Sequence, residues 1–155
     1  MKTLDFTGLT NVQKVTNGLQ QLLADFQIHY TNLRGFHWNV KGKDFYLLHE
    51  KFEEMYDDAA EKVDEIAERI LMLGETPLHR FTDYLKTNKV KETGVVSSGE
   101  EAVKIILDTY KQLIASERAL IEKAVEIDDE ATVALLSDYI SEQEKEIWML
   151  TAFLG

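Results

Sequence analysis

From Phe45 to Leu73 the apolar residues of this chain recur in steps of three and four: Phe45, Leu48, Phe52, Met55, Ala59, Val63, Ile66, Ile70 and Leu73. A stripe of that period and length predicts one amphipathic helix of roughly eight turns, which must bury one side against other helices. The same period recurs three more times. Val12, Val15, Leu19, Leu22, Leu23, Phe26, Tyr30 and Leu33 mark a helix before it, opened by a capping box at Thr10 to Gln13. That helix should stop near Asn39, because Lys41-Gly42-Lys43 is turn chemistry. Beyond Gly74, a C′ glycine, a capping box at Ser97 to Glu101 leads into Val103, Ile106, Tyr110, Leu113, Leu120 and Ala124. Asp128-Asp129 then caps a last helix through Val133, Leu136, Ile140, Ile147, Leu150 and Phe153. Four long helices predict an all-α four-helix bundle. The connection from Glu75 to Val96 is long enough to cross the bundle end, with a short helix around Thr82 to Lys86. Residues 1–10 read as an N-terminal arm, and residues 1–155 as one domain. Glu117 interrupts the third stripe, so it is either buried and paired or marks a local rotation of the stripe.

A second series runs beside the Phe45–Leu73 stripe. His49 and Glu53, then Asp64 and Glu68, stand at i,i+4 and fall within one arc of about 100° at the stripe's edge. Imidazoles and carboxylates in that pattern suit iron, manganese or zinc. The two pairs cannot share an ion within one helix. His49 and Asp64 lie about 22 Å apart at about 1.5 Å rise per residue, whereas ligand atoms stand about 2 Å from a metal. Antiparallel packing of the helix against its own copy, about a two-fold axis near residues 58 and 59, brings His49 and Glu53 of one chain to face Asp64 and Glu68 of the other. That arrangement repeats reciprocally and gives two sites per dimer. His37, just before the short turn, should lie near the start of the second helix and can join His49. The plain alternatives are a histidine at a helix C-terminus and solvated i,i+4 pairs. Trp38 is more often packing than redox chemistry, and His29 and His79 have no ligand neighbours in sequence. Glu126, Asp128, Asp129 and Glu130 cluster before the last helix, where acidic residues are ordinary capping chemistry.

What is missing narrows the function further. The chain has no cysteine, which excludes disulfides, thiolate metal sites and thiol catalysis. Its single proline and 45% hydrophobic content are those of a folded body. Neither a signal-peptide run nor a membrane-length apolar stretch is present, so the expectation is a soluble cytoplasmic protein. There is no Glu-x-x-His motif of the kind that builds intra-bundle di-iron sites, no phosphate-binding glycine loop and no nucleophile elbow. The net charge of −11 favours cations as partners over polyanions.

The stretch Tyr30 to Val40, continued by Leu48 to Glu54 and Asp64 to Arg69, strongly resembles the Dps family, the DNA-protecting starvation-induced miniferritins. The resemblance extends over nearly the whole chain, through Ile147 to Leu154. Its ligand motif is specific: a His, twelve residues to a His, four to an acid, eleven to Asp and four to Glu. The resemblance implies a ferritin-like bundle, a dodecameric hollow shell and a ferroxidase site at the two-fold interface. It assigns His37, His49 and Glu53 from one subunit and Asp64 and Glu68 from its partner as ligands, with two iron ions per site. It further implies oxidation of Fe(II), preferentially by hydrogen peroxide, and storage of ferric mineral as protection against oxidative stress. Trp38 would donate an electron to trapped oxidants, Glu50 and Glu54 would nucleate mineral, and Glu126, Asp128, Asp129 and Glu130 would line ion-admitting pores. Glu53 stands where family members often carry Asp, and Ala134 where some are acidic. Lysine-rich terminal tails, through which relatives condense DNA, are missing, so DNA binding is expected to be weak or absent. Two other readings remain: a nucleoid protein that coats DNA, and a helical assembly protein with a vestigial metal site.

Overall fold

A computed structural model describes residues 1–155 as six helices: α1 (Leu4–Thr7), α2 (Gln13–Asn39), α3 (Phe45–Met72), α4 (Phe81–Thr87), α5 (Gly99–Glu126) and α6 (Glu130–Leu154). The four long ones form the bundle, with α2 laid along α3, α5 against α6, and α2 also against α5. The Phe45–Leu73 stripe is what α3 buries: Leu48, Phe52, Met55, Ala59, Ile66, Ile70 and Leu73 are all in the core, and Val63 is half-buried. No helix is long and apolar enough to cross a membrane.

Local chemistry sets the helix ends. The α3 terminus is a Schellman motif: Gly74 adopts φ +83°, Glu75 N–H donates to the Ile70 carbonyl at 3.1 Å, and Gly74 N–H to that of Leu71 at 2.9 Å. Ser98 caps α5 by accepting from Glu101 N–H. Asp129 caps α6 by accepting from Thr132 N–H. The capping box expected at Thr10 does not form. The N-cap of α2 is Val12, with no side-chain cap, because Asn11 turns the chain through φ +57° and carries Thr10 away from the helix start. The N-terminal arm also holds a helical turn, α1, which ends at Gly8 in the left-handed region.

The connection from α3 to α5 crosses the bundle as expected and contains the short helix α4. It is tied to α2 by that helix's polar side chains. Gln20 donates to the Thr76 carbonyl and accepts from Leu78 N–H. Buried Asp25 accepts from the amides of Lys89 and Val90, and buried Asn32 bonds Lys91 and Thr93. These bonds satisfy main-chain groups that the crossing would otherwise leave unpaired.

Glu117 proves to be buried and paired. It lies inside the bundle and accepts from Gln143 of α6. Burial raises its carboxyl to about 7, against opposing contributions from the Gln143 bond, Lys62 and Arg118. His29 is a core histidine, packed edge-on to Phe26 and Tyr110, and burial together with Lys62 lowers it to about 3.

Candidate metal centre

The turn between α2 and α3 is short, so the last turn of one helix faces the second turn of the next. Gly42 takes φ +107° within it, and Lys41 N–H donates to the Ser97 carbonyl, fastening the turn to the start of α5. His37 and His49 meet across this corner with rings stacked 3.8 Å apart at 14°. Each imidazole reaches the other residue's backbone: His37 Nδ1 lies 2.6 Å from the His49 carbonyl oxygen, and His49 Nδ1 lies 2.7 Å from that of His37.

A carbonyl oxygen only accepts, so both Nδ1 atoms must carry the hydrogen. Both Nε2 atoms are then left with a free lone pair in the neutral form. Fixing the far nitrogen in this way orients a histidine for metal ligation and sets its tautomer. The His37 carbonyl belongs to the last turn of α2, where helical partners run out, so the bond also satisfies an orphan acceptor. Phe45 stacks on the other face of His49 at 5.0 Å, and Tyr56 stands edge-on to His37 at 5.4 Å. The two rings are therefore clamped on several sides.

The remaining predicted ligands lie along α3. Glu53 is exposed one turn beyond His49, and its Oε1 accepts a long 3.4 Å bond from the Tyr56 hydroxyl. Asp64 and Glu68 are exposed further along the helix, away from the histidine pair. One chain thus brings His37 and His49 together with Glu53 nearby, and does not bring Asp64 or Glu68 to them. No three histidine or carboxylate side chains of the single chain converge on a common point.

Trp38 is 63% exposed, with the Arg34 guanidinium 4.6 Å from its ring centre. Tyr46 and Leu47 are exposed in the first turn of α3, just before His49. Glu50 and Glu54 are exposed, and Glu54 stands 3.6 Å from Lys51. Glu126, Asp128 and Glu130 are exposed at the α5–α6 corner, where Asp128 adopts φ +58°. Asp129 does not join them at the surface. Its Oδ1 takes Arg69 Nη2 at 2.6 Å and Thr132 N–H at 3.1 Å, its Oδ2 takes the Thr132 hydroxyl at 2.6 Å, and its side chain is fully buried.

Two residues of α3, Tyr56 beside the histidine pair and Lys62 in the bundle interior, carry no ligand signal of their own in the sequence. Tyr56 is three residues past Glu53 and seven past His49, so the same 3.6-residue period that grouped the acids places it on their face. Lys62 is buried on α3, held by Asp58 at 2.7 Å and Glu142 of α6 at 2.6 Å. Burial opposes its charge, but the bonds and charges of those two carboxylates outweigh it and raise its pKa.

Residues 16–155 match the family model for a ferritin-like domain. The chain is 49% identical over 154 residues to the DNA protection during starvation protein of Porphyromonas gingivalis, covering 98% of this chain and 97% of that one. It is 39% identical to DNA protection during starvation protein 2 of Bacillus anthracis, over 92% and 98% of the respective chains. Among solved structures, the Dps protein of Vibrio cholerae O1 superposes with a TM-score of 0.91 at 48% identity, covering 92% of this chain and 90% of that one. That protein is described as a member of a broad superfamily of ferritin-like diiron-carboxylate proteins. A Dps protein from Bacillus brevis also superposes at 0.91, with 36% identity over 94% and 99% of the two chains.

Proposed function

The chain belongs to the ferritin-like Dps family, and on that premise we propose that it is a ferroxidase and iron store. Fe(II) is the substrate. In this reading His37, His49 and Glu53 of one subunit face Asp64 and Glu68 of its two-fold partner, and each site takes two iron ions. The observation that carries the proposal is the reciprocal Nδ1 bonding of His37 and His49, which leaves the Nε2 lone pairs of a clamped, stacked ring pair free for a metal ion. The distance from that pair to Asp64 and Glu68 supports completion by a second chain, and the exposed Trp38, Tyr46 and Leu47 support an interface there.

Two Fe(II) ions side by side give two electrons to one hydrogen peroxide. With two protons this yields two Fe(III) and two waters, without a one-electron step that releases hydroxyl radical. The ferric product is stored inside a dodecameric shell in the cytoplasm, with Glu50 and Glu54 as nucleating acids and Trp38 as a reserve electron donor. Fe(II) is guided in by Glu126, Asp128 and Glu130, while Asp129 holds the start of α6.

Anaerobic titration of the assembled protein with Fe(II), followed by separate additions of hydrogen peroxide and oxygen, tests this reading. Saturable uptake at two Fe(II) per chain and faster oxidation by peroxide are expected. Absence of saturable uptake would defeat it. The names of the relatives favour a second reading, a DNA-coating protein, and the −11 charge of the chain opposes it.

A further inference from the structure

We propose that Tyr56 is a positioning residue for Glu53, holding that carboxylate in the pose that completes the histidine side of the site; this rests on the ferroxidase reading above. A glutamate on a solvent-facing helix surface has three free torsions, and ordering it as a ligand costs rotamer entropy. Glu53 has a single anchor, the Tyr56 hydroxyl donating to its Oε1. That bond occupies one carboxylate oxygen and leaves Oε2 with its lone pairs for a metal ion. At 3.4 Å it is long, as is common for site hydrogen bonds that tighten only on loading.

The anchor is itself fixed. The Tyr56 ring stands edge-on to His37 at 84° and edge-on to Tyr30 at 90°, with centroids 5.4 and 5.8 Å away. Tyr30 is in turn faced by the Arg34 guanidinium, which also covers Trp38. A phenol locked between two rings cannot follow a wandering carboxylate, so the carboxylate comes to the phenol. Tyr56 thus touches one ligand through its ring and another through its hydroxyl. This is the supporting layer that fixes ligand geometry and whose loss commonly costs about ten- to a hundredfold in metal affinity.

The test uses the assembled protein, with Co(II) binding followed anaerobically by calorimetry and by its visible absorption. Glu53→Ala identifies the binding step that needs the Glu53 carboxylate. Tyr56→Phe keeps the ring against His37 and Tyr30 and removes only the hydroxyl. It should weaken that step about tenfold or more and leave the other unchanged. In a Glu53→Asp background, whose shorter side chain has fewer torsions to restrain, Tyr56→Phe should have little effect, a coupling that a merely structural tyrosine would not show. Equal weakening of both steps, or an equal effect of Tyr56→Phe in the wild-type and Glu53→Asp backgrounds, overturns the assignment. Wild-type protein that takes up no Co(II) or Fe(II) at all defeats the ferroxidase reading first and this inference with it.

Discussion

Inside the bundle, Gln143 Nε2 donates to Glu117 Oε1 at 2.8 Å, while Glu117 Oε2 and Gln143 Oε1 are both buried without a partner. In the ionised pair neither leftover oxygen has a donor. A proton on Glu117 makes its carboxyl a donor as well as an acceptor, the state in which both leftover oxygens can be satisfied. The charged groups around it, Lys62 of α3 and Arg118 of its own helix, favour ionisation, and burial outweighs them. Tyr110 and Tyr139 also face this region and stay neutral, their hydroxyls pushed up first by burial.

The sign of the pH effect follows. Glu117 ionises near 4.5 in the unfolded chain and near 7 in the folded one, so between those values only the folded chain holds the proton. Stability from this group is full below pH 4.5 and is lost as pH rises to 7, by about 1.4 kcal/mol per unit. His29 acts oppositely: lowered from 6.5 to about 3, it costs stability as pH falls below 6.5. From pH 4.5 to 6.5 the two slopes oppose each other. Glu117→Gln, which keeps an amide pair with Gln143, removes one of them. The stability of the variant relative to wild type, measured by urea unfolding, should rise from pH 4.5 to 7 and then level off. A difference independent of pH would contradict the burial argument.

If the proposed site is shared between two chains, its two halves should complement one another. His49→Ala and Asp64→Ala shells should each lose most rapid peroxide-driven iron oxidation. Shells coassembled from both variants should regain part of it, because some interfaces then join an intact histidine half to an intact Asp64–Glu68 half. Normal mixed assembly with no regained activity would rule out a shared site.

The acidic corner should divide into two kinds of residue. Asp129→Ala removes a helix cap and strands the nearly buried Arg69, and should destabilise the fold by about 3 kcal/mol or more. Glu126→Gln, Asp128→Asn and Glu130→Gln together should leave unfolding within about 1 kcal/mol of wild type while slowing Fe(II) uptake, most strongly at low ionic strength. Uptake rates unchanged at low salt would leave these three as capping and solubility residues.

DNA should be bound poorly. Nonspecific affinity comes from neutralising phosphates, and a net charge of −11 per chain opposes that; Lys41 and Lys43 are too few to offset it. Plasmid DNA mixed with the shell at low salt, free of divalent cations, should migrate unretarded in a gel. Retardation at low micromolar protein would promote the DNA-coating reading.

Much of this fold is legible in the sequence because its signals are local. The four stripes, the Gly74 stop and the caps at Ser98 and Asp129 each depend on residues within one or two turns. The histidine pair is legible for the same reason, since the turn that joins His37 to His49 is short. What escapes depends on distant partners or on the chain's path. Lys62 is buried with its charge met by Asp58 one turn away and also by Glu142, eighty residues on, and the second of these partners has no local signal. Thr10 has the chemistry of a cap, but the positive φ of Asn11 moves the helix start past it. Tyr56 carries no ligand signature of its own, and its role emerges only from what its ring and hydroxyl touch. Whether Glu117 is buried or displaced is settled by Gln143, a neighbour on another helix.

The clamps that α2 extends to the crossing segment also bear on what this chain can accept as change. A stretch of some twenty residues holding only a seven-residue helix is ordinarily where a sequence tolerates insertions and where proteases cut. Here the amides of Lys89, Val90 and Thr93 are each spoken for by a side chain of α2, so a residue added between them shifts every later bond out of register. The longest irregular segment of the molecule is therefore one of its less editable ones, and foreign peptide is better grafted at the N-terminal arm.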